Sequence, residues 1–251
     1  MDERVVSRLI FPLDTGDLSE ARRWVRRLSG LVGVFKVGLE LFTSAGPAAV
    51  EMVREESQAE VFLDLKLNDI PATVAGAVRA ASRLGVDFLT VHMLAGRWAV
   101  REAARAAEGG LRILAVTILT SLSRADLMEV GYSPELSRDL SEAALRLASL
   151  AYRCGVHGVV CSAKELPRIR EAFPHLLTVV PGVRPEWLEE ELADDQKRIA
   201  SPGEAIRAGA DYLVVGRPIR EARDPRAVAE RILAEMAQAF EERYRGCNVP
   251  E

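Results

Sequence analysis

Eight short apolar runs, rich in valine, isoleucine and leucine, recur along the chain, and this repetition narrows the possible folds more than any other feature. They read RLIFPLD (8–14), VFKVG (34–38), VFLDLK (61–66), FLTVH (88–92), RILAVTIL (112–119), GVVCS (158–162), LTVVPGV (177–183) and YLVVGR (212–217). Amphipathic stretches such as DLSEARRWVRRLSG, PATVAGAVRAASRLG and SEAALRLASLAYRCG lie between them, several ending in the glycine that a helix C-terminus favours. Short strands alternating with helices argue a parallel sheet with crossover helices. Eight such pairs in 251 residues favour a closed α/β barrel, the (β/α)8 or TIM barrel, over an open sheet. No low-complexity linker interrupts the pattern, so residues 1–251 read as a single barrel domain.

Composition narrows the class of partner. Hydrophobic residues make up 49% and charged residues 28%, ordinary for a globular chain, and the net charge of −4 gives no footing for nucleic acid or an anionic membrane. The N-terminal MDERVVSRLIFPLD carries charge where a secretion signal needs an apolar centre, and no run approaches a membrane span. Cys154, Cys161 and Cys247 are odd in number and lack metal-ligand spacing, as expected of reduced thiols in a cytoplasm. His92, His157 and His175 likewise show no ligand spacing, and no metal is expected.

The polar residues fall where such a barrel builds its sites. Asp14, Lys36, Lys66, His92, Thr120, Ser162, Arg184 and Arg217 all stand at or just past the C-terminal end of an expected strand. In VFLDLKLNDIPATV, Asp64 and Lys66 are two apart, so regular alternation turns both to one face. Asp69 follows the strand, and Pro71 reads as the first residue of a helix. Lys36 should reach the same region from the second strand. An alternating chain of acids and bases can satisfy itself as a structural plug, but lysine usage argues otherwise. Only four lysines (Lys36, Lys66, Lys164, Lys197) occur among 33 basic residues, and a purely structural cation could be the arginine used elsewhere. Lysine can surrender its proton; arginine cannot.

The other end of the chain suggests an anion site. YLVVGRPIR places Gly216 and Arg217 after the eighth expected strand, and PGVR places Arg184 after the seventh, where this fold commonly binds phosphate. Glycine permits close backbone approach, and arginine offers a fork of donors matched to phosphate oxygens. The polar stretch from Arg184 to Ser201, with Gln196 in it, has the length of a lid.

DLKLNDIPATV resembles the Asp-x-Lys-x-x-Asp-Ile-Pro-x-Thr signature of the orotidine 5′-phosphate decarboxylase family, and PLD, FKVG, TVH, VTILTSL, VVPGVRP, DDQKRIASP and YLVVGRPI extend the resemblance over nearly the whole chain. The resemblance implies decarboxylation of orotidine 5′-monophosphate to uridine 5′-monophosphate in pyrimidine biosynthesis, without a metal or organic cofactor. Carried over by position, it makes Lys66 the proton donor to C6 of the pyrimidine and sets Asp64 beside the substrate carboxylate. Asp14 and Lys36 would hold the ribose hydroxyls, and Thr120 and Ser121 would contact the base. Arg184, Gln196, Gly216 and Arg217 would grip the phosphate. Asp69 and Thr73 would reach the neighbouring site of a homodimer. The alternatives are a sugar-phosphate decarboxylase or aldolase of the same suprafamily, which shares Asp-x-Lys-x-x-Asp, and a nucleotide-binding barrel without catalysis.

Overall fold

The computed structural model describes residues 2–188 and 200–245. Its strands are β1 (Leu9–Pro12), β2 (Val34–Gly38), β3 (Glu60–Leu67), β4 (Phe88–His92), β5 (Arg112–Val116), β6 (Gly158–Val160), β7 (Leu177–Val180) and β8 (Tyr212–Val214). All eight pair in parallel with their sequence neighbours, and β1 pairs with β8, so the sheet closes on itself. Closure leaves no free edge, and side-chain alternation then sorts residues between the inside of the barrel and its outer wall. Ile10, Val34, Phe62, Phe88, Leu114, Val179, Tyr212 and Val214 form the inner cluster. Leu9, Phe11, Phe35, Val37, Val61, Leu63, Leu89 and Ile113 belong instead to the larger cluster that includes Val25, Val53, Val78, Val100 and Ala151 of the surrounding helices.

Helix ends follow local chemistry. Pro71 opens Pro71–Leu84 at a position where its missing N–H costs nothing, and Gly85 closes that helix in the left-handed region at φ 70°. Asp139 caps Leu140–Cys154 by accepting from the backbone N–H groups of Ser141 and Glu142, and Gly155 ends it at φ 81°. No helix among the described residues is long and apolar enough to cross a membrane.

The strands start close to where the apolar runs start, but five end earlier than expected. The first pairs to Pro12 rather than residue 14, the fifth to Val116 rather than 119, the sixth to Val160, the seventh to Val180 and the eighth to Val214. Apolar character continues past the last ladder bond because residues beyond it are still buried: Ile118, Cys161, Val183 and Val215 are each at most 3% exposed. Burial and strand pairing are separate demands, and an apolar run reports only the first.

The two mouths of the barrel differ. At the N-terminal mouth, Arg112 pairs with Glu60 at 2.5 Å and lays its guanidinium 3.7 Å from the Phe88 ring centroid. Arg8 covers the Tyr212 ring at 5.1 Å. These side chains fill that end, and the open space lies at the other.

Candidate active site

At the C-terminal end of β3 the sheet departs from regular pairing. Leu63 faces Leu89 of β4, but the next pair is Leu67 with Val91, so Asp64, Leu65 and Lys66 stand against the single residue Thr90. The extra length is absorbed as a bulge, and Lys66 is the one non-glycine residue with positive φ (47°) among those described. Regular alternation is therefore not what brings Asp64 and Lys66 together, as the sequence suggested. The bulge does so: Lys66 Nζ donates to Asp64 Oδ2 at 2.8 Å.

Asp64 is the centre of the cluster. Its Oδ2 also lies 3.4 Å from Lys36 Nζ, and its Oδ1 accepts from the Thr90 hydroxyl at 2.9 Å. Lys36 Nζ is 3.5 Å from Asp14 Oδ1, which extends the chain of alternating charge to β1. Burial by itself would raise the Asp64 pKa. The Lys36 and Lys66 ammonium groups, with hydrogen bonds from Lys66 and Thr90, outweigh it and hold the carboxyl below its usual range. Asp64 is thus an anion in a buried place, stable only because two cations converge on it. Gly38 makes room for one of them, since a Cβ there would stand 3.1 Å from Lys36 Nζ.

These groups border a cavity of about 510 Å³, within the range of small-ligand sites. Phe62, Val116, Val160, Val179 and Val214 give it apolar walls. Asp14, Lys36, Asp64 and Lys66 line it from the ends of β1, β2 and β3, while Arg184, Gly216, Arg217 and Arg220 come from the segments that follow β7 and β8. Two lysines face two carboxylates in the first group, whereas the second offers three arginines. Such a cavity suits a ligand with a strongly anionic end and a polar, charge-changing end. Gly216 fits a close approach of β8 to β1, because a Cβ there would lie 2.8 Å from Pro12 Cγ.

Of the residues expected from sequence, Asp14, Lys36, Asp64, Lys66, Thr120, Arg184, Gly216 and Arg217 line this cavity. Ser121 is exposed and does not line it. Thr120 and Ser121 lie in the turn after β5, and one residue of displacement there is enough to face away. Asp69 and Thr73 are also exposed, and Asp69 makes no ion pair with Lys66 of its own chain among the described residues; its Oδ1 accepts from the Ile70 N–H at 2.6 Å. Gln196 lies outside the described residues. In the ring of strand-end residues, His92 and Ser162 serve local turns instead. His92 Nδ1 accepts from the Leu94 N–H, and the Ser162 N–H donates to Glu165 Oε2.

Three participants escaped the sequence reading. Thr90 sits fully buried against Asp64, Gly38 leaves space for Lys36, and Arg220 donates to the Asp14 carbonyl at 3.0 Å. Thr90 had a signal, being a polar residue at an inward position of β4. Arg220 had none, since one more arginine in an arginine-rich segment carries no mark. Among the described residues, no cluster of three or more His, Cys, Asp or Glu side chains has an arrangement able to hold a metal ion.

Comparison with known proteins places this geometry. A family model described as "Orotidine 5′-phosphate decarboxylase / HUMPS family" matches residues 7–232. The orotidine 5′-phosphate decarboxylase of Syntrophotalea carbinolica is 49% identical over 244 residues, covering 94% of this chain and 97% of that one. The orotidine 5′-phosphate decarboxylase of Moorella thermoacetica is also 49% identical, over 91% of this chain and 92% of its own. Among solved structures, orotidine 5′-phosphate decarboxylase from Lactobacillus acidophilus superposes with a TM-score of 0.77 at 33% identity, covering 91% of this chain and 98% of that one. The barrel, its cavity and these matches together assign the chain: it belongs to the orotidine 5′-phosphate decarboxylase / HUMPS family.

Proposed function

We propose that this chain is an orotidine 5′-phosphate decarboxylase that converts orotidine 5′-monophosphate to uridine 5′-monophosphate and CO2. The observation that carries the reading is the Lys66 ammonium, held 2.8 Å from Asp64 in a cavity that Arg184, Arg217 and Arg220 also line. The arginines and Gly216 bind the 5′-phosphate, with Gln196 contributing from the segment between Arg184 and Ser201. Asp14 and Lys36 hold the ribose hydroxyls, and Thr120, which lines the cavity, attends the base.

Chemistry then follows from charge. Breaking the bond from C6 to the carboxylate releases CO2 and leaves the electron pair on C6. Lys66 places a positive charge where that negative charge develops, then transfers its proton to C6; solvent later reprotonates the amine. Preorganised electrostatic stabilisation of this kind is commonly the largest catalytic contribution. The barrier reduction needed for such an unactivated carbon is on the order of 20 kcal/mol. Asp64, kept ionised, repels the substrate carboxylate and favours its departure. No cofactor enters this scheme.

The same reading makes the functional unit a homodimer of single-domain barrels working in the cytoplasm. The exposure of Asp69 and Thr73, with Ile70 beside them 66% exposed, supports their serving a neighbouring subunit's site. The decisive experiment follows the ultraviolet absorbance of orotidine 5′-monophosphate on adding the purified protein, with and without a chelator. Chelator-independent loss of the substrate band is expected. Binding of uridine 5′-monophosphate with no turnover would overturn the assignment in favour of a non-catalytic barrel, and chelator-sensitive turnover of a sugar phosphate alone would favour a lyase of the suprafamily.

A further inference from the structure

A threonine hydroxyl has one proton to donate and lone pairs to accept with, so it can hold two groups at once. Thr90 uses both capacities on the two residues at the centre of the site. It donates to Asp64 Oδ1 at 2.9 Å and accepts the backbone N–H of Lys66 at 2.8 Å. The side chain is fully buried and faces inward from β4, at the point where three residues of β3 stand against one. With Oδ1 tied to Thr90, the Asp64 carboxylate turns Oδ2 toward Lys36 and Lys66. With its N–H tied to the same oxygen, Lys66 is kept in a left-handed backbone that a residue bearing a Cβ adopts only at a cost.

We propose that Thr90 is a positioning residue whose single hydroxyl sets both the rotation of the Asp64 carboxylate and the backbone of Lys66. It does not touch the reacting atoms; it acts through the pair that does. The inference rests on the proposed decarboxylation for its kinetic consequences, though not for its electrostatic one. The charged groups facing Asp64 are Lys36 from β2 and Lys66 from β3, with Asp14 beyond Lys36 and His92 further along β4. Of the bonds that hold the carboxyl below its usual range, the one from Thr90 is the bond that a neutral substitution can remove.

The test compares Thr90→Ser with Thr90→Ala, which lose the same methyl group while only the second loses the hydroxyl. Thr90→Ala should lower kcat by about tenfold or more, because small misplacements of reacting groups are amplified in rate. Its affinity for uridine 5′-monophosphate should stay near that of the unsubstituted protein, and Thr90→Ser should recover most of the rate. Equal loss in both variants, or a kcat for Thr90→Ala within about twofold of the original, would overturn the proposal in favour of simple packing. So would a loss of nucleotide affinity as large as the loss of rate. A second readout needs no turnover: the 13C-carboxyl titration of Asp64, assigned by its disappearance in Asp64→Asn. It should move upward in Thr90→Ala and stay in place in Thr90→Ser, and an unmoved titration in both would count against the proposal. If the unsubstituted protein turned over no substrate yet this shift were seen, the decarboxylase assignment would fall while the positioning role stood.

Discussion

Position 66 joins two demands that ordinarily conflict, an ammonium group aimed at a reacting carbon and a backbone at φ 47° that suits glycine better than lysine. The conflict yields a paired expectation. Lys66→Ala and Lys66→Gly should both lose the proton donor and with it at least about a hundredfold in kcat. Lys66→Gly should nonetheless be the more stable by about 1 kcal/mol, since it alone is unstrained there; thermal denaturation of the two variants reads that difference. Lys66→Arg should be as inactive as Lys66→Ala, because charge without a transferable proton does not complete the reaction. Asp64 makes an expectation about pH. Its folded-state pKa lies below that of an ordinary aspartate, so the stability it contributes is present above the ordinary aspartate pKa. That stability is lost as pH falls through the lowered folded value. Denaturant midpoints measured from about pH 5 downward should therefore fall less steeply in Asp64→Asn than in the unsubstituted chain.

Strands and the turns after them decide how those side chains converge. The sequence reading located all eight strands because buried parallel strands are continuous apolar runs, and most open directly after a polar or glycine break. It could not locate the bulge, since a strand with extra residues carries the same letters as a straight one. The register with β4 creates it. The seam between β1 and β8 is similar, as the contact of Gly216 with Pro12 joins residues from opposite ends of the chain. Gly216→Ala must push these strands apart, and overpacking of this kind costs about 1–3 kcal/mol. Calorimetric titration should show it weakening uridine 5′-monophosphate more than uridine, because the displaced backbone belongs to the proposed phosphate end. Equal weakening of both ligands would place the damage in the base or ribose region instead.

For the whole molecule, closure of the sheet gives the barrel two ends with separate tasks. Arg112, Glu60, Tyr212 and Arg8 occupy the N-terminal mouth, so the charges of Asp14, Lys36, Asp64 and Lys66 face a cavity open at the other. Assembly belongs to this scale as well. If Asp69 serves the neighbouring site, Lys66→Ala and Asp69→Ala should each be inactive as homodimers. Mixing them by partial denaturation and refolding should restore activity, because one hybrid site then holds an intact Lys66 and its partner's intact Asp69. A mixture as inactive as its parents would place Asp69 outside the catalytic arrangement.

By itself the sequence determined the repeating alternation, the closed barrel it implies and most of the cavity's chemistry. Strand ends in such a barrel must converge on one face, so Asp14, Lys36, Asp64, Lys66, Arg184 and Arg217 were legible from position alone. Tertiary structure decided what depends on register and on contact between distant segments: the bulge at Lys66, the Thr90 hydroxyl against Asp64, Arg220 on the Asp14 carbonyl, and the outward placement of Ser121. The physical reason is range. Periodicity and burial are properties of neighbours along the chain, whereas hydrogen bonds across the barrel join residues whose separation in sequence says nothing about their separation in space.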